Sequence, residues 1–298
     1  MPKKTLKNWL LQLGIASFAL LIALQILFAS LGIDYPPISR DMLGEGLSFG
    51  FFVILGVIIA PLFEEVAFRG FFTAQRWLRI TSFIVLLVFV GLSFSYFSLA
   101  LLLLYILSVY LNDRSGKKRI NLLLVMNAVL FAGIHYTAND FITSLGVVSI
   151  LAQFGMGLIL LWITINFGLI KAMLFHAFYN GLLIIILFMA LEYPSPEKHT
   201  VESEHLTLEY KEVPYTKSNK SSFTRKDTKD TLYVSNMRLN KASRLLLKTS
   251  ALPEEEEPWV ESVPFMKYDL KVYTNNKEEV HTYRKELYQL LKKEELIY

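Results

Sequence analysis

Up to residue 192 the chain is a near-continuous series of apolar stretches close to 20 residues long, too long and too uniformly apolar for a soluble core. Stretches of that length are transmembrane helices. Inside a bilayer every backbone N–H and C=O must find its partner within the protein, so helices are the economical solution. Trp9–Leu31, a run starting near Leu47, Asn121–Tyr136, Gly146–Phe167 and Leu169–Leu191 each read as one span. Ser82–Leu111 is a run of 30 residues. As one helix it would be about 45 Å long, against a hydrocarbon core of ~30 Å. Ser93, Ser95, Tyr96 and Ser98 interrupt it, which predicts a hairpin of two helices and about seven membrane segments in all. A single long helix, giving six, is the alternative.

Charge sets the orientation. Lys3, Lys4 and Lys7 precede the first span, and no small-residue cleavage site follows it, so it reads as an anchor with a cytoplasmic N-terminus. Gly32–Glu45 carries three acids and one arginine and suits the outer side, whereas Arg114–Arg119 is basic and returns to the cytoplasm, as the hairpin requires. The net charge of +4 calls for no nucleic-acid partner, because the basic residues flank membrane segments or are balanced by acids. The chain has no cysteine, which excludes a disulfide framework, a thiolate zinc site and cysteine-protease chemistry.

After Glu192 the composition turns polar. Residues 1–192 read as the membrane domain and 193–298 as a small soluble α+β domain, joined through Tyr193-Pro194-Ser195-Pro196. His205–Val213 and Phe265–Tyr273 alternate like strands. Met237–Thr249 reads as a helix, and Lys277–Ile297 places Val280, Tyr283, Leu287, Leu290 and Leu291 on one face. Glu254–Glu257 reads as a solvated loop, and His199, His205 and His281 as surface residues. No repeat and no chemical motif appear in this part.

The chemistry-bearing residues lie within the apolar spans. Pro61-Leu62-Phe63-Glu64-Glu65-Val66-Ala67-Phe68-Arg69-Gly70 places two carboxylates and an arginine at membrane depth, where ionisable groups cost several kcal/mol each and mark functional sites. On a helix Glu65 and Arg69 are i,i+4 neighbours and pair, while Glu64 is rotated by about 100° and points elsewhere. Pro61 is expected to kink the helix and free a carbonyl near the carboxylates. If the helix ran on to Arg76 and Arg79 at the interface, Glu64 would lie near mid-membrane. Of five histidines, two fall in apolar spans: Phe131-Ala132-Gly133-Ile134-His135, and His176-Ala177-Phe178-Tyr179-Asn180. A buried structural ion pair accounts for the first motif alone; the unpaired Glu64 together with two histidines points to a site.

These three motifs, EExxxR, FxxxH and HxxxN on successive spans, resemble the CPBP family (also called ABI), intramembrane proteases that include the CAAX prenyl endopeptidases. The resemblance covers roughly residues 46–190. It implies a membrane-embedded endopeptidase in which Glu64 activates water, His135 holds the same water, and His176 and Asn180 stabilise the oxyanion. Glu65, Arg69 and Phe131 are supporting residues. It implies a peptide or prenylated-protein C-terminus as substrate, membrane lipid as surroundings, and a multi-pass location in the bacterial inner (plasma) membrane.

The family is often labelled a metalloprotease. Glu64, His135 and His176 form a His₂Glu set of the kind that holds catalytic zinc, yet no H-E-x-x-H signature is present and a metal-free glutamate mechanism uses the same residues. The metal-free form is preferred. No serine has His and Asp partners within the apolar region. Two non-enzymatic readings stand beside the protease: a membrane scaffold or bacteriocin self-immunity protein, and an ion-coupled transporter. The second is weakened by the lack of an inverted repeat.

Overall fold

The computed structural model describes residues 7–31, 48–93, 95–116, 118–136, 146–217, 220–225, 230–247, 265–275, 279–294 and 296. The predicted loops Gly32–Glu45 and Thr137–Ser144, the acidic run Glu254–Glu257, and Lys3 and Lys4 lie outside the described residues. The chain divides into two compact units. One contains the N-terminal helix and Gly50–Leu182; the other contains Phe49 and Leu183–Tyr298.

The apolar part of the chain contains helices α1 Asn8–Ser30, α2 Phe49–Phe72, α3 Arg76–Ser93, α4 Tyr96–Arg114, α5 Ile120–Gly133, α6 Gly146–Phe167 and α7 Leu169–Glu192. Five of them, α1, α2, α4, α6 (over Ile150–Phe167) and α7, are long and apolar enough to cross a membrane, and α5 is apolar but shorter. Ile22, Ile26, Ile58, Leu92, Leu103, Phe178 and Ile186 stand exposed on their outer faces. Water would penalise such a surface, and lipid does not.

The long run of residues 82–111 breaks where its serines predict. Ser95 is extended, with φ −105° and ψ 119°, and its hydroxyl accepts the Ser98 N–H at 3.3 Å, so it caps α4. Phe83 of α3 faces Tyr105 of α4, ring to ring at 6.5 Å, so the two helices fold back on each other.

The helix carrying the two glutamates does not run on to Arg76, contrary to the sequence reading. Its last turn tightens to a 3₁₀ turn at Gly70–Phe72, Thr73 is extended, and α3 begins afresh at Arg76. Close packing forces the turn. A Cβ on Gly70 would stand 3.1 Å from the Leu78 carbonyl and from Ser82 Cβ, and the Ser82 hydroxyl donates to the Ala67 carbonyl at 2.5 Å. Depth counted along one helix from Arg76 therefore does not apply to Glu64.

Two further glycines set helix positions. A Cβ on Gly14 of α1 would lie 2.9 Å from the Gly155 carbonyl of α6, and one on Gly155 would lie 2.9 Å from the Gly14 carbonyl. The two backbones touch, the usual device for helix association where no hydrophobic driving force exists. Gly168, at φ +96°, is the single residue between α6 and α7 and adopts a conformation that side chains disfavour. The core around α2 is made of Ala67, Phe68, Leu86, Leu101, Tyr105, Leu130, Phe131, Met156 and Leu160.

The second unit holds strands β1 His199–Glu202, β2 Leu206–Val213, β3 Ser222–Arg225, β4 Thr231–Arg238 and β5 Lys267–Thr274, with helices α8 Leu239–Leu247 and α9 Arg284–Lys293. The sheet is antiparallel in the order β1-β2-β5-β4-β3. Val272 of the central β5 pairs with Leu208 on one side and Leu232 on the other. Leu206, Leu208, Leu232, Val234, Leu270 and Val272 are buried, as are Leu246, Leu247, Leu287 and Leu291 on the two helices. The α+β expectation holds, with β1, β3 and β4 added and the first residues of the predicted Met237–Thr249 helix belonging to β4. The histidines are less exposed than predicted. His205 bonds Glu286 through Nδ1 at 3.1 Å and stacks on Tyr283, and His199 stacks on Tyr210.

Overpacking a close backbone crossing costs about 1–3 kcal/mol. Gly155→Val should therefore lower the thermal-unfolding midpoint of the detergent-solubilised protein. An unchanged midpoint would show that α1 and α6 do not meet through their backbones.

Candidate active site

Arg69 is fully buried, and the surroundings of its side chain explain how a charge is held there. Its Nη1 lies 3.4 Å from Glu65 Oε1, one helical turn earlier, and its Nη2 donates to the Gly157 carbonyl of α6 at 3.3 Å. The guanidinium carbon sits 4.1 Å from the centre of the Phe131 ring and 5.5 Å from that of Phe68, within cation–π range of both. Arginine suits this place because its flat, weakly hydrated head can stack and donate at once.

His176 of α7 joins the pair. Its Nδ1 is 2.9 Å from Glu65 Oε1, and its Nε2 is 3.8 Å from Glu64 Oε2. An ionised carboxylate only accepts, so Nδ1 carries hydrogen and donates to Glu65. Glu64, expected to point away from Glu65, is thereby linked to it, because one imidazole presents its two nitrogens to the two carboxylates. The carboxylates differ in access: the Glu65 side chain is 0% exposed and that of Glu64 is 16%.

His135 lies just beyond the end of α5, not within it as predicted. Its Nδ1 donates to the Phe131 carbonyl at 2.7 Å, satisfying one of the carbonyls that a helix end leaves unpaired. A carbonyl cannot donate, so Nε2 of the neutral ring is left as an acceptor. The Phe131 ring meets His135 edge-on at 5.2 Å and His176 at 6.0 Å. Phe131 thus touches Arg69, His135 and His176, and the three motifs meet around it. Asn180 is engaged elsewhere, its Nδ2 donating to the Gly56 carbonyl of α2 at 2.8 Å.

Residues 46–182 match the family model described as type II CAAX prenyl endopeptidase Rce1-like. This part of the chain is similar to that family. No curated protein matches the chain, and no solved structure does. The match covers the Rce1-like region alone and leaves the second unit aside.

Among the described residues no group of three or more His, Asp or Glu is placed to share a metal ion. His135 and His176 each commit Nδ1 to a protein acceptor, which leaves Nε2 as the nitrogen that faces other partners.

Sequence reasoning missed three supporting positions. Asn127 is buried, and its Nδ2 donates to the Phe68 carbonyl at 2.9 Å. It stands four residues before Phe131 and eight before His135, so the spacing that marked Phe131 and His135 could have extended to it. Tyr105 is buried beside this group. Gly157 gave no signal, yet a Cβ there would lie 3.1 Å from Phe131 Cδ1, and its absence lets α6 bring a carbonyl to Arg69.

Removing one member of a buried ion pair typically costs 3–5 kcal/mol. Arg69→Ala should therefore give poorly folded protein with a much lower unfolding midpoint. Arg69→Lys should recover only part of it, since a lysine cannot stack on Phe131 and reach Gly157 together. An Arg69→Ala protein as stable as the parent would show that the pair carries no structural weight.

Proposed function

We propose that the Rce1-like region is an intramembrane endopeptidase of the CAAX prenyl protease type, hydrolysing a peptide bond with water activated by Glu64. The observation that carries this is His176 lodged between Glu64 and Glu65 with Arg69 closing the inner pair. Glu65 is fully buried, and its Oε1 is shared by Arg69 and His176. Glu64 keeps access and has one long contact, so it is the carboxylate free to act as base.

In this reading Glu64 accepts a proton from water as the water oxygen attacks the scissile carbonyl carbon, and it returns that proton to the leaving amine. His135 Nε2, the free acceptor, holds the second hydrogen of the same water. The oxyanion takes a hydrogen bond from the N–H of Asn180 that Gly56 does not use. It takes another from His176 Nε2 when that ring carries both protons. Such donors, fixed before the reaction, are worth most where water is excluded. No step is routed through a metal. The family description supports a prenylated protein C-terminus as the substrate class; in this reading the peptide is presented within the membrane, and the protein is multi-pass in a bacterial plasma membrane.

Two experiments test the reading. Removing a general base costs about 10²–10⁴-fold, so Glu64→Gln should lower kcat by that much on a panel of prenylated and unprenylated peptides. Equal activity of Glu64→Gln and the parent protein would remove the mechanism and favour the scaffold or immunity reading. With seven crossings and a cytoplasmic N-terminus, the C-terminus lies outside. A reporter active only in the cytoplasm, fused after Tyr298, should then be silent, and activity there would leave an even number of crossings.

A further inference from the structure

The α2 helix contains a π-helical turn at Leu55–Ile59, immediately before Pro61. In that turn the Ala60 N–H bonds to the Leu55 carbonyl, five residues back. The next donor in this register is the N–H of residue 61, and its acceptor is the carbonyl of Gly56. Residue 61 is proline and has no N–H. The Gly56 carbonyl is the one to which the Asn180 amide donates, at 2.8 Å, from 124 residues away. A carbonyl denied its helical partner at membrane depth is costly until another donor reaches it. Pro61 thus creates a demand in α2 that Asn180 of α7 fills.

We propose that Pro61 is a positioning residue for Asn180: by lacking an N–H it leaves the Gly56 carbonyl as the fixed acceptor that orients the Asn180 amide. The consequence is chemical. The acceptor fixes which end of the Asn180 side chain is nitrogen, because a carbonyl cannot bond to Oδ1. One N–H is held by Gly56, and the second is left in a set direction. The inference rests on the reading of Asn180 as an oxyanion donor for its catalytic half and on geometry alone for its anchoring half. Turns of this kind recur at functional sites.

The test is a cycle of four proteins in detergent: the parent, Asn180→Ala, Pro61→Ala and the double variant. Pro61→Ala restores the missing N–H, so the Gly56 carbonyl no longer needs Asn180. Asn180→Ala should lower the unfolding midpoint by roughly 2–4 °C when made in the parent. Made on top of Pro61→Ala, it should lower the midpoint by less than half as much. Equal losses in both backgrounds would overturn the anchoring.

Pro61→Ala should itself melt no lower than the parent, since alanine favours a helix interior where proline does not. It should nonetheless lose about tenfold or more in kcat with little change in KM. A purely structural role for Pro61 predicts a lower midpoint together with the lost activity, and that result, or parental kcat in Pro61→Ala, would overturn the proposal. Glu64→Gln in the same assay separates the two levels. If it is as active as the parent, the hydrolytic reading fails while the melting cycle still decides the anchor. If it is inactive and Pro61→Ala is fully active, only the positioning role fails.

Discussion

The membrane bundle depends on one guanidinium. Arg69 has no water to turn to, and an isolated charge at this depth would be expelled or would unfold its helix. Its partners come from four helices: Glu65 on α2 itself, Phe131 on α5, the Gly157 carbonyl on α6, and His176 on α7 through Glu65. Apolar helices slide past one another in lipid with little penalty, because lipid is as apolar as leucine. A charge that needs four particular neighbours removes that freedom. The polar cluster fixes depth and rotation for the helices that carry the site, so the same interaction that makes the bundle specific also places Glu64.

The three motifs share i,i+4 spacing, and the structure uses that spacing in three different ways. Glu65 and Arg69 pair side chain to side chain, which the sequence declares openly. Phe131 and His135 are joined through the backbone: the histidine bonds the phenylalanine carbonyl, while the ring serves Arg69. His176 and Asn180 do not act on each other. One reaches Glu65, 111 residues away, and the other reaches Gly56. Periodicity identified which residues share a face, but the partner across the bundle is a tertiary fact that spacing cannot encode.

Other features were hidden for equally physical reasons. The break between α2 and α3 falls at Phe71 to Arg76, whose polar Thr73 and Gln75 also fit a helix reaching the interface, and Ser82 and Leu78 pack close to Gly70 there. Gly157 looks like any glycine in a transmembrane helix until the backbone contact is seen. In the second unit β5 alternates cleanly because one face is buried, and it was legible. The edge strand β3 is mostly exposed, so hydrophobic alternation had nothing to record. The serine cap at Ser95 was legible because polar residues at a helix start have a local cause.

The shortness of α5 has a consequence for the surrounding lipid. Its 14 residues span about 21 Å, some 9 Å less than a typical hydrocarbon core. By itself the helix is too short to cross such a core from one polar surface to the other. A bilayer can meet such a helix by thinning beside it, at a cost of fractions of a kcal/mol per ångström. Acyl-chain length then enters the energetics of the protein. A thin membrane suits a helix of this length better than a thick one, so the lipid itself contributes to how well the bundle holds together.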